Sequence, residues 1–253
     1  NTTGIGRVDF LVTDPVHSPA GDGQRFTERL ARLPHCRYCW EPPAYAPEAM
    51  PPPMATDGKP VFGAFNRMAK ISPATIDAWC ELLRRVPGSR LVIKNSALGR
   101  PAEEAYFARW FSDRGIDPGR IEWRGTSDHA TMLAEYNGID IVLDTFPYNG
   151  GLTTLEALWM GRPVVAVDGD TIIGRQSRAI LSAVGLAELC APDAAGYVAV
   201  AESLANDRRR LTALSGGLRA RLRASPLFDA AGFTRDLEAL LRDEWRRWCA
   251  GRP

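Results

Sequence analysis

From residue 61 onward, short runs of apolar and β-branched residues alternate with longer stretches in which apolar positions recur every three or four residues. The runs are VFGAF (61–65), RLVIKN (90–95), IEWRG (121–125), IDIVLDT (139–145) and PVVAVDG (163–169). Each precedes a stretch of helical period, at 73–86, 101–114, 129–136, 153–160 and 175–184. Runs this continuously apolar predict strands buried on both faces. That favours a parallel sheet with right-handed helical crossovers, a doubly wound α/β lobe. Helix starts are well marked, by Ser72 before Pro73 and by Thr153 and Thr154 ahead of Glu156. The last third predicts helices over 194–206, 207–223 and 230–249, with SPLF (225–228) separating the final two.

Upstream of residue 61 the pattern changes. VDFLVTD (8–14) predicts a strand and residues 22–32 a helix, while residues 41–60 hold seven of the 19 prolines. Proline's fixed φ and missing donor predict a linker there, without regular helix or central strand. The chain therefore divides into 1–40, the linker 41–60, a lobe over 61–229 and a terminal helical segment 230–253.

Composition narrows the class. With 253 residues, 45% hydrophobic and 24% charged, the chain can bury a full core. A net charge of +1 gives no broad basic field, so nucleic acid is not expected as a partner. Apolar runs such as 139–143 are far shorter than a membrane span needs. The first residue is Asn1 and no basic-then-apolar leader follows, which fits a piece of a longer chain. Five scattered cysteines point to reduced thiols and a cytoplasmic setting. Cys36 and Cys39 have the gap of a metal knuckle, but no second Cys/His pair follows at ligand spacing. Incidental thiols on a strand are the expected reading, and no metal is expected.

In a doubly wound sheet, ligands bind at the carboxyl ends of the strands. Three loops there carry chemistry. After the first strand, Asn66, Arg67 and Lys70 offer an amide and two cations, suited to an anionic ligand or simply to a solvated loop. After the fourth, Asn149, Gly150 and Gly151 form a flexible turn. Thr153 and Thr154 then open a helix whose free N–H groups and positive dipole end favour phosphate. Glu156 fits either a ribose diol or stabilisation of that helix N-terminus. After the third, His129 can stack on a base, bond a phosphate or act as a polar cap. Walker, G-x-G-x-x-G, G-x-S-x-G and H-E-x-x-H patterns do not occur, so neither a P-loop nucleotidase nor a dinucleotide dehydrogenase is supported. His17 and His35 show no partner acid at useful spacing and read as surface or packing residues. Trp79, Trp159, Trp245 and Trp248 read as core or lobe-contact residues. Arg208, Arg209 and Arg210 read as a solvated face.

Taken together, TTGIGRVDFLVTDPVHSP (2–19), LPHCRYCWEPP (33–43), the FNRMAKISP segment (65–73), IDIVLDTFPYNGGLTTLEALWMGRPVV (139–165) and SPLFD (225–229) resemble glycosyltransferase family 41, the O-GlcNAc transferase and SPINDLY-like family. The likeness covers nearly the whole chain and lies in the C-terminal half of the family's catalytic region. It implies a GT-B architecture of two Rossmann-like lobes, with only the second complete here. Residues 1–40 would be the end of the preceding lobe, 61–229 the nucleotide-sugar-binding lobe, and 230–253 a helix bracing the two. Tetratricopeptide repeats often precede this region in the family.

The resemblance also implies residue roles. Lys70 is the catalytic lysine that meets the donor diphosphate, and Arg67 stands where a glutamine or another polar residue also does so. Thr153 and Thr154 are the helix-start hydroxyls near the phosphates, Glu156 the acid at the ribose, and His129 is close to a base-stacking histidine. Gly151 and Leu152 depart from the histidine or third threonine often found there, which removes a polar contact. The implied reaction moves GlcNAc from UDP-GlcNAc to a Ser/Thr hydroxyl of a protein acceptor, with inversion and without a metal cofactor. Its general base would lie upstream of Asn1. GDP-fucose or UDP-glucose as donor, or a non-catalytic nucleotide-binding module, are the alternatives.

Overall fold

The computed structural model describes residues 2–251 of the chain. Its centre is a six-stranded, wholly parallel sheet built from β3 (Val61–Ala64), β4 (Arg90–Lys94), β5 (Ile121–Arg124), β6 (Ile141–Leu143), β7 (Val164–Val167) and β8 (Cys190–Ala191). The strands lie in the order β5-β4-β3-β6-β7-β8. Two neighbours of β3 fix the register, with Phe62 opposite both Leu91 and Ile141. This is the doubly wound order expected from the alternating pattern, and its direction reverses between β3 and β6. The short strand β8 was not foreseen. Two residues are too few to show a periodicity, and its place comes from pairing Ala166 with Cys190.

The crossovers are α2 (Pro73–Arg85), α3 (Pro101–Ser112), α4 (His129–Glu135), α5 (Leu152–Trp159) and α6 (Gln176–Ala183). Further on come α7 (Ala194–Asn206), α8 (Arg208–Arg223) and α9 (Ala230–Cys249). Side-chain caps set several of these starts. Ser72 accepts the Thr75 N–H, and Asp128, Asp193, Asp207 and Asp229 each accept the N–H three residues on, from Thr131, Gly196, Arg210 and Gly232. Each such cap is worth about 1 kcal/mol. Trp79 and Leu82 of α2 and Tyr197 and Leu204 of α7 are buried in one core with Phe62, Leu91 and Ile93 of the sheet, and the two helices pack on one another, with Trp79 Nε1 donating to the Tyr197 hydroxyl at 2.9 Å. Full burial of side chains of this size contributes roughly 1.5–3 kcal/mol each.

The N-terminal region departs from expectation. Residues 22–32 are not a helix: a single 3-10 turn, Asp22–Arg25, leads into a strand β2 (Arg29–Arg32) that pairs in parallel with β1 (Phe10–Thr13). Gly21, at φ 96°, and Gly23 break any helix at its start, and the backbone of β1 supplies the ladder that helical propensity could not outweigh. His17 likewise does have an acid partner. It is fully buried, with Nδ1 2.7 Å from Asp14.

The proline-rich stretch is irregular apart from one turn, α1 (Met54–Asp57), that starts behind Pro53. It lies against the lobe. Asp140 accepts the N–H groups of Met54 and Val61, and Asn137 accepts the Met50 N–H and donates to the Glu48 carbonyl. Among the described residues no helix is long and apolar enough to cross a membrane.

Candidate functional site

The loops after β3 and β6 meet at the reversal point of the sheet. Ser72 and Thr75 at the start of α2 both donate their hydroxyls to the Phe146 carbonyl, at 2.6 and 2.8 Å, which ties the two loops together. Beneath them lies Asp144, fully buried at the end of β6. Its carboxylate accepts from Gly150 N (2.8 Å), Thr145 N (2.9 Å), Asn66 Nδ2 (2.8 Å) and Ser177 Oγ (2.6 Å). Burial raises its pKa, and these donors only partly offset that. A side chain at Gly150 has no room, since its Cβ would stand 2.6 Å from Thr153 Oγ1 and 3.0 Å from Asp144 Oδ1. The glycine is required by neighbouring protein atoms.

Lys70 reaches this turn from the β3 loop. Its Nζ donates to the Asn149 carbonyl at 2.8 Å and lies 4.0 Å from the centre of the Tyr148 ring. Burial lowers its pKa, opposed by Asp144 and reinforced by Arg67. Arg67 itself is exposed on the same loop; its carbonyl accepts the Lys70 N–H at 2.9 Å, and its guanidinium has no hydrogen-bond partner among the described residues. Together the two cations and the N-terminal end of α5 form a rim that favours an anion.

A second cluster forms where α4 faces α5. His129 places Nε2 2.8 Å from the Glu156 carboxylate and Nδ1 2.8 Å from the Tyr45 hydroxyl. Tyr45 comes from the proline-rich stretch, and its ring meets His129 edge to face at 5.7 Å between centroids. Glu156 is 2% exposed; burial raises its pKa and His129 pulls it back. As it stands, this carboxylate is committed to the histidine.

The sequence-derived residues therefore separate into two groups. Arg67, Lys70, His129, Gly151 and Thr153 lie at the accessible edge of the turns. Asn66 and Asn149 point inward: Asn66 bonds Asp144 and Thr145, and Asn149 Nδ2 bonds the Thr145 carbonyl at 2.9 Å. Thr154 is also turned in, its hydroxyl 2.8 Å from Ser177 Oγ. Helix α5 begins at Leu152 behind Gly151, so Leu152 rather than a threonine takes its first position, and that side chain is exposed. Sequence reasoning missed Asp144, Ser177 and Tyr148. An aspartate closing the apolar run IDIVLD, and an aromatic inside the turn itself, were the available signals.

The buried Asp14 and His17 and the half-buried Cys36 form a separate cluster whose ligand atoms lie within 4.8 Å of one another. The Asp14 oxygens already accept from the backbone N–H groups of Val16, His17 and Arg37 as well as from His17 Nδ1. Arg37 and Arg175 add positive potential at the histidine. The cluster is thus bound up in holding its own segment.

The fold is that of one Rossmann-like lobe of the GT-B class of glycosyltransferases. A sucrose-phosphate synthase from Thermosynechococcus elongatus shares the fold with a TM-score of 0.62 over 94% of this chain and 58% of its own, at 16% identity. The sequence model of glycosyl transferase family 41 matches residues 54–237, and the chain belongs to that family. A variant of the Thermobaculum terrenum O-GlcNAc transferase superposes with a TM-score of 0.93, at 37% identity, over all of this chain and 48% of its own. The Petunia hybrida protein named as the probable UDP-N-acetylglucosamine–peptide N-acetylglucosaminyltransferase SPINDLY is 38% identical over 99% of this chain. The chain spans about a quarter of that relative's length, 27%.

Proposed function

We propose that this chain is the donor-binding part of an inverting protein O-glycosyltransferase that moves GlcNAc from UDP-GlcNAc to a Ser/Thr hydroxyl. The observation that carries the proposal is Lys70, whose ammonium lies on the Asn149 carbonyl at 2.8 Å, beside the N-terminal end of α5, at the switch point of the sheet. A diphosphate seated there meets Lys70, Arg67 and the first N–H groups of α5. As the sugar–phosphate bond breaks, negative charge builds on the leaving diphosphate. Donors already oriented towards it stabilise that charge by a few kcal/mol each, roughly the worth of one oxyanion-hole donor. Lys70 and the helix end then do the work that a divalent cation does in other transferases. The base and ribose lie towards Glu156 and His129, where a ribose diol competes with the imidazole for the carboxylate. The named activities of the relatives support GlcNAc as the sugar and a polypeptide as acceptor.

In the same proposal residues 1–40 close the preceding lobe, and 61–229 form the donor lobe beyond the 41–60 linker. Residues 230–253 brace the two lobes. The acceptor site and general base belong to the preceding lobe, tetratricopeptide repeats lie further upstream, and the protein works in the cytoplasm. The test is calorimetric titration with UDP, GDP and their sugars. UDP binds more tightly than GDP, EDTA leaves binding intact, and Lys70→Ala weakens UDP binding by about 1.5–3 kcal/mol, as for a hydrogen bond to a charged group. Unchanged affinity in that variant removes the diphosphate from Lys70. Preference for GDP moves the donor assignment to a guanine nucleotide sugar.

A further inference from the structure

The turn that carries Lys70's acceptor is also held from outside the lobe. Tyr38, from the N-terminal segment, donates its hydroxyl to Gln176 Oε1 at 2.6 Å. Gln176, the first residue of α6, donates Nε2 to the Asn149 carbonyl at 3.1 Å and to the Ile173 carbonyl at 3.2 Å. That Asn149 oxygen is the one that accepts from Lys70 Nζ. An unbroken hydrogen-bonded path therefore runs from the Tyr38 hydroxyl through one amide side chain and one carbonyl to the lysine ammonium.

Packing makes the path specific. A Cβ on Gly151 would stand 3.1 Å from Gln176 Oε1 and 3.3 Å from the Tyr38 hydroxyl, so both polar groups press on the residue that precedes α5. The Tyr38 ring is in turn fixed, edge-on to buried His17 at 5.3 Å and with the Arg37 guanidinium 5.3 Å from its centroid. Arg175, next to Gln176, donates to the His17 carbonyl at 3.2 Å and pairs with Asp22. The whole contact thus joins residues 14–38 to the loop before α6.

We propose that Tyr38 is a positioning residue for nucleoside-diphosphate binding: acting through Gln176, it orients the Asn149 carbonyl and so the Lys70 ammonium. The preceding lobe thereby takes part in donor binding without touching the donor. A carbonyl with two donors has a narrower range of orientations than one held by lysine alone, and the hydroxyl fixes which rotamer Gln176 presents. The same contact makes donor affinity depend on how the N-terminal segment is seated. This inference rests on the UDP-site proposal above.

The experiment is a double-mutant cycle in the full-length protein, read as UDP affinity by calorimetry and as KM and kcat for UDP-GlcNAc. The variants are Tyr38→Phe, Gln176→Leu and Lys70→Ala, singly and in pairs. Tyr38→Phe keeps the ring packing and weakens UDP binding about fivefold, with KM rising, while the thermal midpoint falls by no more than the few degrees that one lost intramolecular hydrogen bond costs. In the Lys70→Ala background that loss shrinks below twofold, because the path no longer ends on a cation. Gln176→Leu reproduces both results from the lobe side. Wild-type affinity in Tyr38→Phe overturns the inference, as does a fivefold loss that persists without Lys70. Absence of UDP binding in the unmodified protein instead overturns the reading of the site itself.

Discussion

Two buried aspartates hold the two regions that meet at the site, and they do it with different partners. Asp144 lies under the turn after β6 and accepts from a hydroxyl, a side-chain amide and two backbone N–H groups. Asp14 lies in the N-terminal segment and accepts from three backbone N–H groups and a histidine. In both, burial is the largest influence and pushes the carboxyl up. At Asp144 it prevails and the pKa is raised. At Asp14 the His17 hydrogen bond and charge, with the backbone donors, overcome it and hold the pKa to about 2. Neutral dipoles shape a loop around a carboxylate but compensate its desolvation only partly, whereas a chargeable neighbour can reverse the sign. The lobe thus builds a rigid turn at some electrostatic cost, and the N-terminal segment depends on charge.

The largest expected effect tests the first half of that contrast. Asp144→Ala leaves the Gly150 N–H, Ser177 Oγ and Asn66 Nδ2 facing a cavity, each a buried donor whose orphaning costs about 1–3 kcal/mol. Some of these groups re-pair, so a net loss of about 3–5 kcal/mol is expected in urea unfolding, together with loss of UDP binding. A loss below about 1 kcal/mol would mean that the turn holds its shape without the carboxylate.

The pH dependence comes next and separates the two regions by sign. Asp14 binds its proton less readily folded than unfolded. Its contribution is therefore full above the ordinary carboxylate value of 3.8 and is lost as pH falls towards about 2. The amount is on the order of 2 kcal/mol. His17, lowered by its burial, works in the same direction: protonation below its ordinary 6.5 favours the unfolded chain. Asp144 has the opposite slope. A raised pKa means the folded state holds the proton more tightly, so stability falls as pH rises through its range above 3.8. Unfolding of the wild type, Asp14→Asn and Asp144→Asn in urea at a series of pH values reads the slopes. Asp14→Asn flattens the acid side and Asp144→Asn does not. Equal slopes in all three variants would dissolve the distinction.

The sequence carried the lobe better than the segment before it, for a physical reason. Strands buried on both faces and amphipathic helices leave long periodic signals, so Ala194–Asn206 and Ala230–Cys249 were legible to the residue. Residues 22–32 carried too few apolar positions to choose between helix and strand, and the choice fell to pairing with Phe10–Thr13. At the site, residue types in the right loops were visible, but the direction of each side chain was not. Asn66, Asn149 and Thr154 share the chemistry of ligand-binding residues and spend it on Asp144, Thr145 and Ser177. Nothing in the spacing of Tyr38 and Gln176, 138 positions apart, announces that they touch.

The smallest expected effect concerns α9, which extends the comparison to the far edge of the N-terminal segment. Arg29 pairs with Glu244, and a cavity of about 300 Å³ lies between Phe10 and the Leu241–Trp248 face. Trp245 and Trp248 stack at 5.1 Å between centroids but remain 63% and 62% exposed. Side chains this open lose little when shortened, so Trp245→Gln and Trp248→Gln should each change the stability of this chain by no more than about 0.5 kcal/mol in thermal unfolding. If α9 braces the preceding lobe, the same substitutions in the upstream-extended protein remove buried aromatic surface. They then cost about 3 kcal/mol or more, as large-to-small changes in a packed core do. Equal, small effects in both proteins would leave α9 a helix of this lobe alone, with the N-terminal segment still tied to the lobe by Tyr38, Arg175, Arg25 and Trp40.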